Sequence, residues 1–199
     1  MNNLKKLMLA SAFLTGLLSL SNVVLAKNVM ESNAASKANT IGVLVYINPV
    51  FYQHPIRMLH PYLDYWHMRG PMFEKIAIES LNNQQTSAET CQPNTDTNLT
   101  ISLEPYIFYN PQMRVFHSEV IANVYAGKLT PVATYKATAQ QQGELNNMAD
   151  YYLKLAYKKA MQGIVRKIQA DVSQFKSPVA LENNLCLLLN NVPTSRKYF

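Results

Sequence analysis

Three histidines fall within a short stretch, His54, His60 and His67, with Asp64 between the last two and Glu74 and Glu79 downstream. Imidazole beside carboxylate is the material of acid–base catalysis and of metal binding. The spacing argues against both. Steps of six and seven residues match no common zinc motif, and Asp64 is the only acidic ligand among them. The chain has no Gly-x-Ser-x-Gly, no His-Glu-x-x-His and no phosphate-binding glycine loop. The expectation is a protein that is not an enzyme and that needs no metal and no cofactor. A small hydrolase using the histidine-rich stretch is the minor alternative.

The same stretch, residues 48–70, carries a second kind of chemistry. Phe51, Tyr52, Tyr62, Tyr65, Trp66 and Met68 give it a dense aromatic and thioether character, and Pro49, Pro55 and Pro61 forbid one long regular element. A loop of this length is expected either to bind something or to fold down on the core. As a binding surface it suits an apolar ligand, a membrane or a protein partner, and those six residues are the candidate contacts. Both readings stay open at this point.

Cys91 and Cys186 are the only cysteines. In an oxidising compartment a lone pair most simply forms a disulfide, tying the loop before residue 97 to the C-terminal tail; two free thiols are the alternative. Residues 1–26 predict such a compartment. Lys5 and Lys6 precede an apolar run from Leu7 to Leu20, and Val24-Leu25-Ala26 offers a cleavage site before Lys27. Polar interruptions at Ser11, Thr15 and Ser19 shorten that run below the roughly 20 apolar residues of a membrane span. The expectation is a cleaved signal peptide, a periplasmic protein and no transmembrane segment in the mature chain. The formal charge is +6, of which Lys5 and Lys6 belong to the leader. The mild remainder permits contact with anionic headgroups and does not point to nucleic acid.

The elements that position these residues are read from periodicity. Residues 27–39 form a polar lead-in, and residues 40–176 one domain. Thr40–Ile47 is a nearly continuous apolar strand, expected to lie inside a sheet. Gly70-Pro71 opens a helix with a stripe of Phe73, Ile76, Ala77, Ser80 and Leu81. Asn82–Asp96 reads as polar loop. Three strands follow between Thr97 and Ala139, separated by turns at Asn110-Pro111-Gln112 and Gly127-Lys128. Pro105 suggests an edge or a bulge. A long helix from Asn146 to Phe175 carries Leu153, Tyr157, Ala160, Met161, Ile164, Ile168, Val172 and Phe175 on one stripe, and Ser177-Pro178 ends it. Residues 177–199 are a tail docked through Cys186. The predicted fold is α+β: an antiparallel sheet of about four strands in βαβββα order, with two helices packed on one face.

That order, with the block Ala126-Gly127-Lys128-Leu129-Thr130-Pro131 and the helix from Asn147 to Val172, resembles small Gram-negative envelope proteins. These are the auxiliary lipoproteins of lipid-transport ABC systems and the lipopolysaccharide-assembly lipoprotein. The chain departs from them in lacking a lipid-anchor cysteine after the leader's apolar run. The resemblance implies a non-catalytic envelope role, binding lipid or glycolipid or supporting a transport or assembly complex. The alternative is a periplasmic protein-binding adaptor.

Overall fold

The computed structural model describes residues 41–83, 86–93, 95, 97, 99–171, 175 and 185–195. The predicted leader, the lead-in, Val172 and Ser177-Pro178 lie outside them. Strand β1 (Ile41–Ile47) leads into a four-residue helix, α1 (Val50–Gln53). Two short strands, β2 (Ile56–Met58) and β3 (Tyr65–His67), precede helix α2 (Arg69–Leu81) and strand β4 (Thr86–Thr90). Strands β5 (Leu99–Asn110), β6 (Val115–Tyr125) and β7 (Ala133–Gln142) lead to the long helix α3 (Ala149–Asp171). A short helix, α4 (Leu185–Leu188), comes last.

The main sheet has five strands in the order β4-β1-β5-β6-β7. It is mixed: β1 runs parallel to both β4 and β5, and β5, β6 and β7 form an antiparallel meander. This corrects the expected four-stranded antiparallel sheet and its βαβββα order; the α+β class stands. The missed strand is β4, inside the stretch read as polar loop. Its sequence Thr-Ser-Ala-Glu-Thr buries only Ala88, so it carries no apolar period. Asn82, at the end of α2, holds it instead: the Asn82 side-chain oxygen accepts from Ala88 N at 2.7 Å. The parallel step from β1 to β4 through α2 is the crossover that parallel neighbours require.

Helices α2 and α3 cover one face. Val43, Val45, Ile101, Leu103, Phe116, Val120, Ala122 and Val124 alternate toward them and meet Phe73, Ala77, Leu153, Tyr157, Met161 and Ile164 in one core. Helix α3 begins with Asp150 in its first turn, where a carboxylate favours the positive end of the helix. Pro105 pairs with Val120 without a bulge. It sits past Leu103, where pairing with β1 ends, so the missing donor falls where β5 has strand β6 alone beside it. The first meander turn is built by Asn110, whose side-chain oxygen accepts from Gln112 N and Met113 N, both at 3.1 Å. Gly127 takes a positive φ of 76° in the second, which glycine adopts at low cost.

The other face of the sheet is half covered. Tyr46, Tyr125, Leu185 and Leu189 form a smaller cluster there. Cys91 and Cys186 are bridged with their Cα atoms 5.7 Å apart. Tyr46 Oη donates to Asn190 at 2.8 Å, and buried Glu104 accepts from Ser195 N, Ser195 Oγ and Tyr106 Oη. The C-terminal segment is thus fastened by a covalent bond at one end and a satisfied carboxylate at the other.

Candidate functional site

The aromatic stretch is neither loose nor a simple lid. Strands β2 and β3 pair as an antiparallel hairpin, with Ile56 opposite His67, Arg57 opposite Trp66 and Met58 opposite Tyr65. Period-two alternation then sorts the side chains. Ile56, Met58, Tyr65 and His67 face inward; Arg57 and Trp66 face out. Strands of three residues are too short to show this period against the surrounding prolines, which is why the sequence reads as irregular.

The six candidate residues divide accordingly. Phe51 is the fully buried residue of α1, edge-on to Tyr106 at 5.8 Å and under the Arg69 guanidinium at 4.6 Å. Tyr52 is half-buried, and Gly70 lies so close that an added Cβ would stand 2.8 Å from its ring. Burial, together with a hydrogen bond and the charge of Glu74, raises the Tyr52 phenol well above its ordinary pKa. Tyr65 is half-buried and donates to Asp150 on α3 at 2.5 Å. Burial first, then Asp150, pushes its pKa up as well. Tyr62, Trp66 and Met68 lie at the surface. Leu59 and Leu63, which the sequence analysis did not single out, join them: Leu59 is 71%, Tyr62 91% and Trp66 56% exposed. No sequence signal marks the two leucines: they lie between β2 and β3, at the hairpin's tip, and that pairing is not legible in the sequence.

The inward face is a rigid seat. His67 is 3% exposed, and its Nε2 lies 3.3 Å from Tyr157 Oη. Burial lowers its pKa to about 4, with Asp150 opposing and Arg69 reinforcing the shift. The imidazole is therefore neutral at neutral pH. Fully buried Tyr157 is driven far up by desolvation, so it stays protonated. His60 stacks near Tyr109 and accepts from Tyr62 N at Nδ1 over 3.2 Å. Asp64 pairs with Arg57 at 2.7 Å, an exposed bridge that contributes little to stability. The groups that could have formed an acid–base cluster are thus engaged separately. Among the described residues, no three of His, Cys, Asp and Glu gather as a metal site.

Beside the tip, a cleft of about 470 Å³ opens between Pro61, Tyr62 and Leu63 and the β5–β6 turn. Arg114 closes its far wall with a 2.8 Å bridge to Glu144. Its left-handed backbone, φ 53°, is uncommon away from glycine and marks a tightly determined turn. The chemistry on offer is an apolar ledge and an adjoining cleft on a fixed base. None of the described helices is long and apolar enough to cross a membrane.

The sequence matches no family model and no curated protein. Among solved structures the chain is similar to a Xanthomonas campestris protein of the family DUF330, with TM-score 0.49 and 8% identity, over 68% of this chain and 86% of that one. It is also similar to a minor lipoprotein from Acinetobacter baumannii, with TM-score 0.43 and 10% identity, over 66% of this chain and 94% of that one.

Proposed function

We propose that this protein is a non-catalytic component of the cell envelope that binds lipid or glycolipid through the outward face of the β2–β3 hairpin. The observation that carries the reading is the split of that hairpin: its inner face is locked onto α3, while Leu59, Tyr62, Leu63 and Trp66 are held in solvent. Apolar side chains kept exposed on a fixed support mark an interaction surface. Aromatic residues suit the boundary between acyl chains and headgroups. The dispersal of His60, Asp64 and His67 onto separate partners supports a binding role over a catalytic one. The predicted leader supports export, and sequencing the mature N-terminus should return Lys27.

Trp66 is the only tryptophan in the chain, so it reports directly on this surface. Mixing the protein with phosphatidylethanolamine–phosphatidylglycerol vesicles should shift its emission to the blue and carry the protein into the vesicle pellet. Tyr62→Ala with Leu63→Ser should abolish sedimentation while leaving circular dichroism unchanged. An emission spectrum indifferent to vesicles, with no co-purifying lipid by native mass spectrometry, would remove the reading. One feature favours the adaptor alternative: the outer edge of β7, ten residues long, has no strand neighbour among the described residues. Such an edge can accept a partner's strand. Crosslinking that maps to Ala133–Gln142 would favour it.

A further inference from the structure

Where β1 stops, the helix-free face of the sheet is open among the described residues and, walled by Ile56, Arg57 and Arg69, forms a trough of about 680 Å³, a volume in the range of small-molecule sites. Among the described residues, the C-terminal segment covers that face from the Tyr46–Tyr125 cluster as far as Glu104, where Ser195 is bound. Strand register lays two rows across the trough floor: Phe108, His117 and Gln140 in one, Tyr106, Glu119 and Thr138 in the next. The Phe108 and His117 rings stack with planes within 1° and centroids 4.4 Å apart, and Phe108 remains 58% exposed. His117 Nε2 is buried with no hydrogen-bond partner among the described residues, which is uncommon away from functional sites.

We propose that this trough is a saccharide-binding site for an uncharged pyranose ring. The outer face of Phe108, backed by the stacked His117 ring, offers a flat apolar platform matched to the C–H face of a sugar. Around it, the Gln140 amide and Thr138 hydroxyl each donate and accept, and the Glu119 carboxylate accepts, so vicinal hydroxyls find complementary partners on adjacent strands. The cations at the trough are already engaged: Lys136 pairs with Glu119, Arg57 with Asp64, and the Arg69 guanidinium on its wall lies over the Phe51 ring. That engagement favours a neutral, hydroxyl-rich ligand over a phosphate or carboxylate, which would need cations released from their partners. The trough meets the hairpin at Ile56 and Arg57 but uses none of Leu59, Tyr62, Leu63 and Trp66, so it does not depend on lipid binding there.

Saturation-transfer NMR with cellobiose, maltose and N,N′-diacetylchitobiose tests the proposal on the full mature protein. At least one disaccharide should receive saturation, and Phe108→Ala and Gln140→Ala should each weaken it about tenfold. Both side chains are exposed, so both variants should keep the parent circular dichroism and the parent Trp66 response to sugar-free vesicles. Phosphatidylethanolamine vesicles with and without galactosyl diacylglycerol separate the two sources of such a ring. Phe108-dependent sedimentation with the galactosyl vesicles alone assigns a lipid headgroup; saturation of free disaccharides assigns a soluble glycan. The proposal is overturned if no sugar probe binds, if binding survives both substitutions, or if inorganic phosphate displaces the sugar.

Discussion

His67 sits at the joint between hairpin and core, and its chemistry sets a pH limit on that joint. The folded imidazole titrates near 4 because it is buried, against 6.5 when exposed. Between those values the unfolded chain binds the proton that the folded one refuses. The stability that depends on the neutral ring is fully present above about pH 6.5, declines as pH falls, and is lost once pH has passed about 4. The linkage amounts to roughly 3 kcal/mol. Urea midpoints measured across that window should fall with pH, and His67→Phe should flatten the slope. Gly70 is constrained by space: a methyl group there meets the Tyr52 ring at 2.8 Å. Gly70→Ala should cost about 1–3 kcal/mol by thermal denaturation. Neither constraint can be read from residue type. The sequence shows a histidine among aromatics and a glycine before a proline, and only the fold supplies what each one touches.

Among the elements, legibility followed length and amphipathic contrast. Strands β5–β7 and helix α3 are long, so their periods are visible over most of their length; β7 runs past the expected end at Ala139 to Gln142, because three glutamines carry no apolar period. The continuous run of β1 correctly marked an inner strand, since Val43, Leu44, Val45 and Tyr46 are all buried on one face or the other. Strand β4 was invisible because its stability comes from pairing with β1 and from the Asn82 clamp. The hairpin was invisible because three residues hold barely one period. At this scale the Cys91–Cys186 bridge is the strongest single tie. Its partners are 95 residues apart, and constraining so long a loop is worth about 4–5 kcal/mol on the chain-entropy model. Reduction should therefore lower the melting temperature. It should also free the C-terminal segment first, exposing Tyr46 and Tyr125, seen as a rise in tyrosine accessibility before global unfolding.

For the whole molecule, the sheet divides the candidate surfaces. Helices fill one face, the C-terminal segment takes half of the other, and the hairpin projects where β1 ends. The disulfide adds a covalent division to this spatial one. Every residue of β5, β6, β7 and α3 lies between Cys91 and Cys186, whereas β1, the hairpin, α2 and β4 precede the bridge. The meander and its main helix are in effect a macrocycle with the parallel unit attached as a branch. A protease that nicks the Gly127–Pro131 turn opens the ring without releasing a fragment. The cleaved protein should migrate as one species on a denaturing gel without reductant and as two with it. A cut at the hairpin tip, outside the ring, should give two pieces under either condition.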